Sequence, residues 1–405
     1  MKPILLDGRT GEGGGQLVRL AVGLSALTTR PIKITNVRGN RPGDRGGGLK
    51  SQHVTAIEFL ASVTDAQTEG LAVGSNTLTF IPRLPPTSLP QRQFNISASS
   101  GAASTLLILQ TIFPFLLYAA GDPIQLSISG GTNAAWSLSF EYLDQILLPT
   151  LEERFGVKVG REMKTRGWSL GKQSRGEVLI TVHPIQKGEK LRFIPPTPRS
   201  YPESFVVTSV DVSIATPAFT HEILQTALVE NLGQLYPDAE VHFKTLEDSG
   251  DPARVYILLV AHSASNIRWG RDILTSLPKR MNSPDTILKQ YASKVCRDLD
   301  QEVTLAGEVD EFLQDQLICF QALAEGYSSF LRLDRPMSEE YLSESSSAWN
   351  SLTHGNEEVR KDRGDEPFGY GELHAQTARW VVAEMLPEVE FYRKGTIVKG
   401  AAVTF

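Results

Sequence analysis

The chain repeats its own layout. A glycine-rich turn, Gly11-Glu12-Gly13-Gly14-Gly15-Gln16, leads into Leu17, Val18, Leu20, Ala21, Leu24 and Leu27 at helical spacing, and then into the strand Pro31-Ile32-Lys33-Ile34. About 92 residues later the order returns: Ser99-Ser100-Gly101-Ala102-Ala103-Ser104, then Leu106, Leu107, Leu109, Ile112 and Phe113, then Asp122-Pro123-Ile124-Gln125-Leu126. Each copy continues through a glycine-bearing loop (Arg38-Gly39, Gly130-Gly131-Thr132) to a helix and short strands such as 77–81 and 177–182. A third, partial copy begins at Phe312, runs through Leu317, Phe320 and Leu323, and closes on a helix after Gly371. Units of this kind bury their apolar faces by stacking, which predicts an α+β fold: pseudo-symmetric repeats of strand and helix units forming one large domain.

The segment between the second and third copies differs. Strand patterns over 205–214, 241–244 and 254–261 alternate with helical patterns over 220–235 and near 287–299. They predict a small α/β domain, 187–305, inserted into the large domain 1–186 plus 306–405 and joined through Pro195-Pro196-Thr197-Pro198. His221, His242 and His262 stand singly in it and read as structural or surface residues. Residues 335–370, with Ser343-Glu344-Ser345-Ser346-Ser347 and the charged run 357–365, lack apolar periodicity and read as a mobile surface loop; His354 inside it carries no role.

A formal charge of -6 excludes a basic field over the whole molecule, so any nucleic-acid contact must come from a local patch. No apolar run is long enough for a signal peptide or membrane span, which predicts an intracellular protein. Cys296 and Cys319 are too few for a disulfide framework and lack metal-type spacing.

Chemistry concentrates in three places. In Gly371-Glu372-Leu373-His374-Ala375-Gln376-Thr377, the histidine falls at the start of a helix carrying Ala378, Val381, Val382 and Met385. Unpaired N–H groups and the positive dipole end disfavour extra positive charge there, so the imidazole stays neutral and nucleophilic, beside a helix end able to hold phosphate. The Gly11–Gln16 turn offers a phosphate cradle with Glu12 and Arg19 close by, though its spacing is neither a Walker loop nor a dinucleotide fingerprint. The loop Val37-Arg38-Gly39-Asn40-Arg41-Pro42-Gly43-Asp44-Arg45-Gly46-Gly47-Gly48-Leu49-Lys50 spreads basic residues among glycines, as a loop that folds around phosphates would.

Taken together, these stretches resemble the RNA 3'-terminal phosphate cyclases. The resemblance is carried by Asp7-Gly8 with Gly11–Gln16 and Arg19; by Arg38, Arg41, Pro42-Gly43 and Gln52-His53; by Ser129-Gly130-Gly131-Thr132-Asn133; by Phe312-Leu313-Gln314-Asp315-Gln316-Leu317; and by His374 with Thr377. It implies a ligase-type enzyme that uses ATP and a divalent metal, magnesium or manganese. His374 would become adenylated, and the AMP would then pass to an RNA 3'-phosphate that closes to a 2',3'-cyclic phosphate. Position by position, it implies that Glu12 binds metal or phosphate, Arg19 clamps phosphate, and Gln110 contacts the nucleotide. Phe312 would stack on adenine within the nucleotide-binding stretch Phe312, Leu313, Gln314, Asp315 and Gln316, and Arg38 and Arg41 would take the RNA terminal phosphate. Phe312 stands where tyrosine is common, Leu138 where proline is frequent, and Leu170-Gly171-Lys172-Gln173-Ser174-Arg175-Gly176 replaces a glycine run. Eukaryotic members of the family imply the nucleus. The alternatives are a cyclase-like factor of ribosome assembly that binds RNA or protein without catalysis, which would lack the nucleophilic histidine, and an enolpyruvate transferase, which uses no such histidine.

Overall fold

The computed structural model describes residues 2–41, 43, 46–196, 203–278, 284–354 and 359–405. Pro42, Asp44 and Arg45 of the basic loop, Thr197 and Pro198 of the proline-rich joint, and residues 357–358 of the charged run lie outside the described residues.

The first two sheets share one plan. Strands β1 (Ile4–Asp7), β2 (Ile32–Thr35), β3 (Gln67–Glu69) and β4 (Leu78–Ile81) lie in the order β1-β2-β4-β3, with β1 and β2 parallel and the other pairs antiparallel. Strands β5 (Gln93–Ser97), β6 (Ile124–Gly130), β7 (Lys158–Thr165) and β8 (Gly176–His183) repeat that order and sense as β5-β6-β8-β7. Helices α1 (Gly15–Thr28), α2 (Ser51–Thr64) and α3 (Thr105–Leu117) follow the loops, and α1 packs against both other helices. A short helix α4 (Phe140–Tyr142) runs through a π-turn, Leu143–Leu147, into α5 (Leu148–Phe155).

Strands β9 (Val207–Thr216), β10 (Glu240–Asp248), β11 (Val255–Ser263) and β12 (Arg268–Thr275) form a sheet ordered β10-β9-β11-β12, covered by α6 (His221–Leu235) and α7 (Pro284–Thr304). Residues Val255–Ala261 of β11 are apolar without alternation because both faces are buried. Ile257 and Leu259 join a cluster with Leu228 and Val295, whereas Tyr256, Leu258 and Val260 join the main core. Strand β12 has no clear strand pattern in sequence, because Arg268, Arg271 and Asp272 interrupt its apolar residues. Its polar groups serve the junction instead: Arg268 pairs with Glu153 at 2.6 Å, Trp269 Nε1 donates to Gly307 O at 2.8 Å, and Arg271 pairs with Glu302 and Glu311. His242 and His262 are not solitary: His262 Nε2 lies 3.0 Å and His242 Nδ1 3.4 Å from the Asp211 carboxylate, which holds that acid below the usual carboxylate range despite burial.

Helix α8 (Glu311–Leu323) leads to a small antiparallel sheet, β13-β15-β14 (Tyr327–Ser329, Ile397–Lys399, Glu390–Tyr392). The 335–370 segment is not wholly loop, since Glu339–His354 forms helix α9. Its inner stripe contains Tyr341, Leu342, Ser345 and Trp349; the buried serine hides the helical period from a hydrophobicity reading. Arg393 stacks over Tyr341 at 5.0 Å, and Trp349 meets Phe193 edge-on. Helix α10 (Leu373–Met385) packs on α1 and α8.

Asp310, fully buried, ties these parts together. Its Oδ1 accepts from the Phe312 and Leu313 N–H groups at 2.9 and 2.8 Å, capping α8, and from the Tyr142 hydroxyl at 2.5 Å. Its Oδ2 accepts from the Gly270 N–H at 2.7 Å, on β12. Asp310→Ala removes the cap and leaves a buried hydroxyl and a buried N–H unpaired, so chemical denaturation should show a loss of about 3 kcal/mol or more.

Candidate active site

His374 sits in the first turn of α10. The N-cap residue, Glu372, has an extended backbone and makes no side-chain hydrogen bond to the helix, so the first N–H groups have no side-chain cap. The ring is half exposed, and its Nε2 lies 3.4 Å from Glu12 Oε1. Its pKa falls below the ordinary histidine value chiefly because the ring is desolvated; Arg19 and Arg41 push the same way, opposed by Asp315 and Glu372. The neutral imidazole expected from the helix end is therefore present, but burial and guanidinium charges account for it.

Glu12 is held by the same helix. Its backbone N–H donates to Thr377 Oγ1 at 2.9 Å, while that hydroxyl donates one turn back to Leu373 O at 2.6 Å. Gly11 just before it has φ +63°, and a Cβ there would collide with the Thr377 hydroxyl, so only glycine lets the turn come this close. The Glu12 carboxylate is nearly buried and forms an ion pair with Arg41.

Next to it lies a cradle of donors. Arg19 Nε donates to Gln110 Oε1 at 2.6 Å and its Nη2 to Gln16 Oε1 at 2.8 Å, which fixes the guanidinium across α1 and α3; desolvation brings its pKa down to about 10, still cationic at neutral pH. His53 is buried; its Nδ1 accepts from the Lys50 N–H at 3.0 Å, which puts the ring proton on Nε2, where no hydrogen-bond partner is found among the described residues. Desolvation first, then Arg19, Arg38 and Lys50, keep His53 neutral. A Cβ on Gly15 would lie 2.5 Å from Arg19 Nη1 and 2.8 Å from His53 Nε2, and α1 begins at Gly14 without a side-chain cap. An unpaired buried N–H, a guanidinium and open helix N–H groups are the donor set that a phosphate satisfies.

A cavity of about 640 Å³ opens from His374. Its lining combines polar side chains, Gln16, Arg19, Arg41, Gln110, Asp315 and His374, with apolar ones that include Leu138, Leu143, Leu274 and Phe320. Burial raises the Asp315 pKa, while a 2.9 Å hydrogen bond from Gln316 Nε2 favours its charged form. Phe312 lines the cavity with the Arg271 guanidinium 4.6 Å from its ring centre. Of the residues singled out by sequence, Glu12, Arg19, Arg41, Gln110, Phe312, Asp315, Gln316 and His374 thus come together. Four do not line the cavity: Glu12, which reaches it only through His374 and Arg41, and three that stand apart from it. Leu313 is a core residue, and Gln314 is buried behind the Tyr370–Gly371 loop with its Nε2 3.4 Å from Tyr370 O. Arg38 donates to Gly46 O at 2.6 Å and shapes its own loop. Both alternate from the cleft by helical geometry: on α8, positions 312, 315 and 316 share a face that 313 and 314 do not.

Two residues escaped the sequence reading of roles. His53 appeared only inside a motif, and its significance lies in an orphaned nitrogen that spacing cannot reveal. Asp272, on β12, lines the cavity with its pKa raised to about 7, mainly by desolvation and further by Glu141 and Asp310, against Arg271.

The RNA 3'-terminal phosphate cyclase family profile matches residues 10–345. Proteins described as RNA 3'-terminal phosphate cyclase are similar along most of their length. The one from Methanosarcina mazei is 33% identical over 333 residues, 81% of this chain and 89% of the relative. The one from Pyrobaculum aerophilum is 30% identical over 325 residues, 80% and 86%, and that from Pyrococcus furiosus 28% over 323 residues, 80% and 86%. These organisms are archaea, and they lend no support to a nuclear location. Helix α10 lies beyond the matched span. Among the described residues no helix is long and apolar enough to cross a membrane.

Because the pKa of Asp272 is raised from 3.8 to about 7, the folded chain keeps a proton that the unfolded chain releases, and stability declines as pH rises through that interval. Asp272→Asn keeps the side chain uncharged. Thermal melts should show the variant more stable than the parent at pH 8, by on the order of 2 kcal/mol, and equal to it at pH 4.

Proposed function

Because this chain belongs to the RNA 3'-terminal phosphate cyclase family, we propose that it converts an RNA 3'-terminal phosphate into a 2',3'-cyclic phosphate at the expense of ATP, through AMP held covalently on His374. The observation that carries this reading is a neutral imidazole at an uncapped helix start, opening on one cavity with Arg19, Arg41 and Asp315. A phosphate monoester is a poor electrophile with a poor leaving group, and activation by AMP divides the reaction into easier steps.

In the first step a His374 ring nitrogen attacks the α-phosphorus of ATP; the N–P bond forms as the bond to the β-phosphate breaks, and pyrophosphate leaves. Arg19, His53 and the start of α1 hold the departing phosphates. In the second, an oxygen of the RNA 3'-phosphate takes the α-phosphorus from His374, giving a mixed anhydride. In the third, the neighbouring 2'-hydroxyl attacks the 3'-phosphorus, loses its proton to solvent, and expels AMP. Arg41, which reaches from the basic loop to Glu12, is placed to meet the incoming phosphate; Arg38 orders that loop. The apolar lining of the cavity receives adenine against Phe312.

Among the described residues no three His, Cys, Asp or Glu side chains converge as a metal cage. Glu12 would instead share a magnesium or manganese ion with the phosphate oxygens, as one-carboxylate sites do, and the ion would neutralise phosphate charge. We propose further that the two like-ordered sheets and the sheet of β13 to β15 are copies of one unit, and that 187–305 is a separate insertion into it.

Incubation with α-labelled ATP and divalent metal should leave acid-labile, base-stable label on the chain. His374→Ala should abolish it, and an unlabelled parent would remove the enzymatic reading. Self-labelling should fall off with acidification at a lower pH than an ordinary histidine would give, because desolvation depresses the His374 pKa. Thr377→Val keeps the shape and removes the partner of the Glu12 N–H, so labelling should slow by about tenfold, the effect of about 1.4 kcal/mol, with the fold intact by circular dichroism. An RNA ending in a 3'-phosphate should become phosphatase-resistant with ATP, whereas a 3'-hydroxyl end should not change.

A further inference from the structure

Among the exposed large apolar side chains of the described residues, Trp136 alone lines the cavity. Its side chain is 96% exposed, and its backbone lies in the left-handed region at φ +64°, where a bulky residue is strained. Exposure of an indole and strain in its backbone both oppose folding, yet the flanking residues hold the arrangement. The Ala135 N–H donates to Ser169 Oγ at 2.9 Å, and the Ser137 hydroxyl is 2.6 Å from that of Ser104, the N-cap of α3. Ser169 itself follows Trp168, a buried ring with the Arg166 and Arg254 guanidiniums 5.8 and 5.4 Å from its centre. The loop is anchored on both sides, and the ring stays exposed where it lines the cavity.

We propose that Trp136 is the stacking platform for the base of the RNA's 3'-terminal nucleotide, an inference that rests on the cyclase reading above. The terminal phosphate has to reach His374 and Arg41 in the cavity, and on the same reading adenine takes the lining at Phe312. The base attached to the terminal ribose is thereby left to the exposed ring. A flat aromatic ring beside a cationic cleft is the means by which proteins hold unpaired bases without reading their identity. Trp136 acts on binding and position, with no part in bond making.

The test pairs a protein change with an RNA change. The parent, Trp136→Ala and Trp136→Phe are compared on a short RNA 3'-phosphate carrying either a normal or an abasic terminal nucleotide, by anisotropy of a 5'-labelled strand and by cyclisation kinetics. Loss of the base should weaken binding to the parent about tenfold and to Trp136→Ala hardly at all. Trp136→Ala should raise the KM for normal RNA by a similar factor without slowing self-labelling by ATP, and Trp136→Phe should recover most of the loss. If the abasic end and Trp136→Ala weaken binding independently, or if Trp136→Ala slows self-labelling as much as cyclisation, the proposal is overturned and the ring belongs elsewhere or to the ATP site. A parent that neither self-labels nor binds the RNA would overturn the cyclase reading itself, a distinct result.

Discussion

One buried carboxylate, Asp310, holds the elements that line the cavity in register. It caps the helix that carries Phe312, Asp315 and Gln316, and it receives hydrogen bonds from Tyr142 and from Gly270. These donors come from three separate stretches of chain, and each would be left unpaired in a dry interior without it. Burial alone raises the pKa of this acid, and the donors together with Arg271 favour its charged form. The apolar cavity beside it could not be lined from α8, the π-turn and β12 at once if these three elements were free to slide.

The cleft combines two environments that usually exclude each other. Burial in it desolvates four titratable groups, which lowers the pKa of His374 and Arg19 and raises that of Asp315 and Asp272. Its polar side chains bring the Arg19 and Arg41 guanidiniums to an imidazole whose pKa is depressed. The net effect is an imidazole whose charging is disfavoured in a positive field, with the His53 Nε2 and the uncapped start of α1 meeting Arg19 around Gly15. Backbone closeness makes this possible: the Gly11 turn touches Thr377 across two distant parts of the chain, and through it Glu12 is positioned under His374.

Particular elements show how far sequence periodicity reaches. The helices and strands of the first two sheets were legible because each buries one face on a regular period, and the two sheets have corresponding strand orders. Strand β11 was legible as an apolar run. Helix α9 was not, since Ser345 occupies its buried stripe, and β12 was not, since its charged residues serve an interface rather than a solvent face. The stretch Phe312–Gln316 was recognisable as one block, but only helix geometry separates the cleft-facing Phe312, Asp315 and Gln316 from the inward Leu313 and Gln314. Arg38 and Arg41 look equivalent in sequence; one closes its own loop and the other meets Glu12.

Local sequence by itself determined the α+β character, the helix beginning at His374, the glycine turn and the family resemblance, because spacing, turn chemistry and helix ends act over a few residues. Tertiary structure alone decided which side chains share the cavity, why His374 and His53 are neutral, and where Asp272 and Trp136 stand. Desolvation and Coulombic fields depend on distances between residues hundreds of positions apart, and no local pattern encodes those distances.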